Sequence, residues 1–184
     1  NGLGERVGNT NLNEMVVNYE YRLRMHPANG HEKNRFDLTK LKSLSETYAR
    51  ITGSSLEMRQ PVVGHSVFST HFGIHANYYY KVALLVEKMH KAGYSQKLIN
   101  QFLKEAWKVY SAASPADFNS EPDVRVSPFS GASNVILRLK QMRLIDEISS
   151  VNKTDSRVQR ILAQAKKGWG ELPDRDILWL WNSK

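Results

Sequence analysis

The chain has 184 residues, is 41% hydrophobic and contains no cysteine. That length suits one domain or two small ones. The lack of cysteine rules out disulfides, thiolate metal sites and a cysteine nucleophile, which fits a cytoplasmic protein. No apolar run approaches the roughly 18 residues needed to span a bilayer, and nothing at the start reads as a signal peptide. The formal charge is +8. Basic residues gather late, at Arg138, Lys140, Arg143, Lys153, Arg157, Arg160, Lys166 and Lys167. Such charge attracts anions, either nucleic acid or CoA and carboxylates. Interspersed Asp and Glu make solvated helix faces the simpler account.

In chain order, Asn1-Gly2-Leu3-Gly4-Glu5-Arg6-Val7-Gly8-Asn9 comes first. It is too polar for a core strand and too rich in glycine for a helix interior. Thr10 or Asn11 can cap a helix over 10–24, with Leu12, Met15, Val16, Tyr19 and Leu23 at helical spacing. A polar loop opening onto a helix start is a natural place for an anion or a metal-bound carboxylate. Residues 25–36 read as a polar loop, with His26 and His31 as surface residues. Asp37 caps a second helix with Leu38, Leu41, Leu44, Tyr48 and Ile51 on one face, and Gly53 stops it.

Residues 54–80 show no helical period, and Pro61-Val62-Val63 is a short strand or extended segment. His71 and His75 are four apart, the spacing of two metal ligands on a helix. Gly73 lies between them and no carboxylate sits beside them in the sequence, so read alone the pair is structural or hydrogen-bonding. Tyr78, Tyr79 and Tyr80 cannot share one face, so at least one should reach an interface or cleft. Val82, Leu85, Val86 and Met89 lead to Gly93, and Ser95 caps a run of Leu98, Ile99, Phe102, Leu103, Ala106, Trp107 and Tyr110. The short link predicts an antiparallel helical hairpin with wide apolar faces.

Residues 111–131 read as a long loop. Val135, Ile136, Leu139 and Met142 begin a basic helix. Asp155 caps another with Val158, Ile161, Leu162 and Ala165, and Gly168 ends it. Asp174 caps a last short helix with Ile177, Leu178, Leu180 and Trp181. There is no repeat and no clear βαβ series, so the content is mostly α.

Three of these stretches resemble one family. Residues 1–9 are similar to the N-G-(I/L)-G-E-R-x-G-N motif of the 2-isopropylmalate, homocitrate and citramalate synthases. Gln60-Pro61-Val62-Val63-Gly64, followed by Val67-Phe68-Ser69-Thr70-His71-Phe72-Gly73-Ile74-His75, resembles that family's P-(I/V)-V-G-x-x-(A/V)-F-x-H-x-(S/A)-G-I-H. Phe129-Ser130-Gly131-Ala132-Ser133-Asn134-Val135 is a weaker echo of S-G-x-x-(N/A)-(V/I) ahead of a helix. The family's (β/α)8 barrel carries D-R-E on early strands and H-x-H on the sixth. Both are missing here: Asp174-Arg175-Asp176 lies at the wrong end, and His26-Pro27-Ala28-Asn29 only partly matches the family's H-P-H-N.

The resemblance implies the C-terminal part of such an enzyme. The expected fold is mostly α: the last elements of a TIM-type barrel, followed by helical C-terminal subdomains, with the complete barrel absent. Expected divisions are 1–57, the end of the barrel; 58–127, a linker or lid with the hairpin; and 128–184, a helical subdomain. The implied activity is condensation of acetyl-CoA with a 2-oxo acid around a divalent metal (Mg, Mn or Zn), with this stretch inactive alone. Asn9 would face the metal, and Glu5 and Arg6 would tie the loop to the substrate-bearing barrel mouth. His75, or failing that His71, would be the catalytic histidine that a helical subdomain extends over the partner subunit's barrel. The family's assisting tyrosine finds no match just before Ser130. The expected partners are a second copy of the chain, as a homodimer, the missing N-terminal barrel region and a small 2-oxo acid, with no membrane. Two alternatives stand beside this: a regulatory or interaction subunit pairing with a separate barrel chain, and a basic helical nucleic-acid-binding module, which no recognised motif supports. Half a barrel leaves apolar faces uncovered, so self-association through residues 10–24 and 37–52 is expected.

Overall fold

A computed structural model describes residues 1–23 and 36–183. The chain divides into two compact units, Asn1–Phe68 with Ser114–Glu121, and Ser69–Ala113 with Pro122–Lys184. Apart from Phe36, the polar loop read at 25–36, with His26 and His31, lies outside the described residues.

The first unit is built on α1 (Leu12–Asn18) and α2 (Leu41–Thr52). Asn11 is the cap of α1, its side chain accepting from the Asn13 backbone N–H at 3.0 Å. The helix is shorter than its apolar period suggested: after Asn18 the chain widens into a π turn, Tyr19–Leu23. Asp37 caps a 3-10 turn, Leu38–Lys40, that leads into α2, and Gly53 ends α2 in the left-handed region at φ 68°.

What joins α1 to α2 is polar. The buried Asn13 donates to Ser45 Oγ and to Asn1 Oδ1, each at 3.0 Å. The apolar stripes read from the sequence are only partly used, since Val16 and Leu41 are buried but Leu12, Met15, Leu44 and Ile51 are exposed. A second cluster forms where a 3-10 turn, Pro115–Phe118, returns to this unit. There Phe118 stacks on Tyr21 with ring centroids 6.3 Å apart, and the Tyr21 hydroxyl donates to Asp117 at 2.5 Å. Burial, with Asp117 beside it, pushes the Tyr21 phenol well above its ordinary value.

The second unit starts with a strand too short to read from sequence. β1 (Ser69–Thr70) pairs in parallel with β2 (Asp123–Val124), Ser69 opposite Asp123. Five helices follow or intervene: α3 (Gly73–Lys91), α4 (Gln96–Trp107), α5 (Ala132–Gln141), α6 (Ser156–Ala165) and α7 (Asp174–Asn182). α3 begins at Gly73, well inside the stretch read as non-helical. The three tyrosines therefore sit on consecutive positions of one helix. Tyr79 enters the core, Tyr78 donates to the Ala106 carbonyl at 3.2 Å, and Tyr80 lies under the Lys153 ammonium. The Tyr78 bond joins the start of α3 to the end of α4, so the hairpin is antiparallel as expected.

Val135, Ile136 and Leu139 of α5, Val158 and Ile161 of α6, and Ile177 of α7 form the centre of the core with Ala76 and Tyr79 of α3. α6 is capped by Asp155, which accepts from the Arg157 N–H at 2.8 Å. Asp174 is not a cap. It is the first residue of α7 and takes two bonds from Arg138, which also reaches Asp123, so one guanidinium joins β2, α5 and α7. With side-chain exposure of 12%, Arg138 does this largely out of solvent.

The core predicts a sharp contrast within this unit. Ile161→Ala, at a position with 0% exposure, should cost about 2–5 kcal/mol, whereas Trp169→Ala at a fully exposed turn should change stability by less than about 0.5 kcal/mol. Urea unfolding followed by far-UV circular dichroism checks both; equal losses would contradict the assigned core.

Candidate functional site

The end of the second motif, from Ser69 on, meets the third motif in the second unit. The chain leaves β1 through His71 and Phe72 and enters α3 at Gly73. It leaves β2 through Arg125 and reaches α5 at Ala132. The two helix starts touch through backbone: the Gly73 N–H donates to the Phe129 carbonyl at 3.1 Å. A Cβ on Gly73 would lie 3.1 Å from the Gly131 nitrogen, closer than side chains normally approach. That nitrogen is itself bonded to Asn134 Oδ1 at 3.0 Å, so it has little room to give. Glycine at position 73 is thus a packing requirement.

This start sets the direction of His75. Its ring stacks on Tyr110, with centroids 4.2 Å apart and planes at 29°. Tyr110 lies just past the end of α4, in a turn, and is held edge-on by Tyr78 and Tyr79. The apolar period carries α4 on to Tyr110, but the helix stops at Trp107. A tyrosine thus stands against the candidate histidine. Neither the imidazole nor the Tyr110 hydroxyl has a hydrogen-bond partner among the described residues, so both polar ends are unspent by the fold. Phe72 lies beside His75, and Phe129 beside Phe72, with centroids 6.1 Å and 5.6 Å apart. Both phenylalanines are exposed.

Beneath Tyr110, Tyr79 stacks on Trp107 at 3.9 Å. Burial first, and then Tyr78 and Tyr110, push the Tyr79 phenol up to about 12.

Among the described residues no hydrogen bond or ring contact joins the His71 side chain to this site. It precedes α3, so the four-residue spacing to His75 never becomes one helical face, and the paired-ligand geometry is not formed. What His71 supplies is its backbone carbonyl, which accepts from Ser130 Oγ at 2.7 Å and from Asn134 Nδ2 at 3.2 Å.

Asn9, Glu5 and Arg6 belong to the first unit. Their loop closes on itself: the Asn9 N–H donates to the Gly2 carbonyl at 2.9 Å, and Asn9 Nδ2 donates to the Leu3 carbonyl at 2.7 Å. At φ 83°, Gly8 could not carry a Cβ, which would meet the Gly2 oxygen at 2.2 Å. Arg6 holds a left-handed backbone at φ 58°, a cost that tends to persist where the surroundings demand it. Glu5, Arg6 and Asn9 are all exposed, and no ion pair joins Glu5 to Arg6 among the described residues. A divalent metal needs several oxygen or nitrogen donors. No group of three His, Asp or Glu suited to a metal occurs among the described residues, and one amide oxygen of Asn9 does not make a site.

The late basic residues are largely used inside the second unit. Arg138 is paired twice, Arg157 bonds Asp155 and lies over Trp181, Arg160 donates to the Ser183 carbonyl, and Lys166 donates to the Pro128 carbonyl. Among the described residues no helix is long and apolar enough to cross a membrane.

Two outcomes follow. Gly73→Ala should destabilise the chain by about 1 kcal/mol despite alanine's better helix propensity, because overpacking against a fixed backbone outweighs it; urea unfolding that showed stabilisation would contradict the contact. For Tyr79, the raised folded value means its contribution is fully present below the unfolded value of about 10 and is lost as pH rises through about 12. In an ultraviolet phenolate titration, Tyr79→Phe should remove one late-ionising tyrosine and leave the early ones unchanged; an unchanged late limb would contradict the burial.

No family model matches the sequence. Individual relatives do. The chain is 26% identical over 167 residues, 91% of its length, to an (R)-citramalate synthase of Sulfolobus acidocaldarius, covering 26% of that protein. It is 39% identical over 77 residues, 42% of its length, to a putative (R)-citramalate synthase of Methanoculleus marisnigri, covering 14% of that protein. It is 23% identical over 181 residues, 98% of its length, to 2-isopropylmalate synthase 2 of Caldanaerobacter subterraneus, covering 38% of that protein. The chain therefore spans between about a quarter and two fifths of the relatives matched along its whole length. The likenesses run through nearly all of its residues and support membership of the citramalate and 2-isopropylmalate synthase family.

Proposed function

We propose that this chain is the C-terminal region of an acyltransferase that condenses acetyl-CoA with a 2-oxo acid, and that His75 and Tyr110 are its contribution to the chemistry. The observation that carries the reading is the stacked pair itself. A histidine of the resembled motif and a tyrosine from a distant turn are in ring contact, with no hydrogen-bond partner for their polar atoms among the described residues.

In such a condensation the acetyl methyl group loses a proton to a base, and the enolate carbon bonds to the ketone carbon of the 2-oxo acid. The ketone oxygen takes up a proton, and water cleaves the thioester to release CoA as a thiol. Histidine is the side chain that gains and loses a proton near neutral pH. His75 is suited to hold or return the proton at the ketone oxygen as it becomes an alkoxide. Tyr110 fixes the imidazole plane, and its O–H can donate a hydrogen bond to the same oxygen. Phe72 and Phe129 border the pair with apolar surface that would limit water there.

The base and the divalent metal belong, in this reading, to an upstream barrel. Asn9 would contribute an amide oxygen beside the metal, and Glu5 and Arg6 would anchor the loop at the barrel mouth, where such loops carry function. The exposed Leu12, Met15, Leu44 and Ile51 of α1 and α2 are the apolar surface that barrel would cover. A homodimer, in which each helical subdomain serves the partner's barrel, and a cytoplasmic setting complete the proposal. The engagement of Arg138, Arg157, Arg160 and Lys166 within the fold leaves less free charge for nucleic acid than the formal +8 suggests.

The test is acetyl-CoA-dependent thiol release over a panel of 2-oxo acids with Mg2+ or Mn2+. This chain alone should be silent, and the chain joined to its upstream barrel should be active. In the active protein His75→Ala should lower kcat by roughly 10²–10⁴-fold, the usual share of a positioned acid or base. Release by the chain alone, or silence of the joined protein towards every 2-oxo acid, would overturn the proposal.

A further inference from the structure

The S-G-A-S-N-V stretch, the weakest of the three motifs, has a mechanical role that its sequence does not announce. Asn134 has no solvent exposure. Its amide nitrogen donates to two backbone carbonyls, His71 at 3.2 Å and Arg125 at 3.1 Å, one at the exit of each strand. Its amide oxygen accepts from the Gly131 N–H at 3.0 Å. Ser130 reinforces the same point: its hydroxyl donates to the His71 carbonyl at 2.7 Å and accepts from the Ser127 N–H at 2.9 Å.

Chemistry restricts position 134 to this residue. Two donors and one acceptor are needed in a fixed, dry geometry, which is the inventory of a carboxamide. Aspartate would turn an acceptor on two carbonyls, and leucine would strip a donor from each carbonyl, leaving them only Ser130 Oγ, and would remove the acceptor of the Gly131 N–H. The bonds bear on α3 at its most vulnerable place. Phe72 stands at the N-cap and gives no side-chain cap, so the first turn of α3 is not secured from within. It is secured by the Gly73 bond to Phe129 and by the grip on the His71 carbonyl, two residues before the helix. His75 lies in that first turn. Tyr110 comes from beyond the far end of α4, so the stack depends on where α3 starts.

We propose that Asn134, assisted by Ser130, is a positioning residue: by gripping the His71 carbonyl it fixes the first turn of α3 and holds the His75 ring against Tyr110. This rests on the acyltransferase reading for its purpose, not for its geometry. Because the grip is on backbone, its loss displaces a side chain that Asn134 never touches.

The experiment uses isotope-labelled chain and two variants, Asn134→Ala and Ser130→Ala. The readout is the ring-current shift of the His75 imidazole and its cross-relaxation with Tyr110. The Trp181 indole, stacked under Arg157 in the same unit, serves as the internal reference. In Asn134→Ala the His75 shift should fall by about half or more while the Trp181 signals stay in place; Ser130→Ala should do the same more weakly. An unchanged His75–Tyr110 contact would overturn the proposal. So would joint loss of the His75 and Trp181 signals in both variants, which would make the bracket a general folding element. In the barrel-joined protein the variants should lower kcat about tenfold or more while the KM for the 2-oxo acid stays within about twofold. A displaced His75 in a protein that releases no thiol would sink the acyltransferase reading and leave the positioning claim intact.

Discussion

The second unit depends on one backbone carbonyl, that of His71. It stands where an extended segment turns into the long helix α3, and two buried side chains from another part of the chain converge on it. Around it the backbones of residues 73 and 131 come so close that a glycine is needed at 73. The exposed Phe72–Phe129 pair and the half-buried His75 are carried by the segments this junction fixes. A buried, fully bonded polar group rigidifies more than it stabilises. Here the rigidity falls on the turn that bears the candidate proton carrier.

The first unit is organised differently. Asn13, Ser45 and Asn1 form a polar centre, and the Gly2–Asn9 hydrogen bond closes the N-terminal loop beside it. A hydrogen-bonded centre specifies geometry at modest net stability. Meanwhile several of the apolar residues on α1 and α2 face outward. Covering this surface is the part that the proposed upstream barrel would play; the chain spans about a quarter to two fifths of the relatives matched along its length.

Legibility in the sequence followed the range of the interactions. The caps at Ser95 and Asp155, the periods of α4 to α7 and the antiparallel hairpin were readable, because each rests on residues within a few positions. The start of α3 was not. Glycine at a first helical position reads as a break, and its reason is a contact with Gly131 far along the chain. The two-residue strands are too short to carry a period. Tyr110 was absorbed into an apolar helix face, because nothing local marks where α4 stops. Asn134 was quoted only within a weak motif, since its partner His71 lies 63 residues away. His75 was singled out through a family motif, and the structure puts it in the first turn of α3 against Tyr110; Asn9, Glu5 and Arg6 lie in a loop that closes on itself.

The central claim is that His75 and Tyr110 act together on one proton. A double-mutant cycle on thiol release by the barrel-joined protein tests it most directly, comparing His75→Ala, Tyr110→Phe and the double variant. If the two groups form one unit, the double variant loses little more kcat than His75→Ala alone, as coupled catalytic residues do. Losses that simply multiply would mean that the stack in the fold is not a partnership in the reaction.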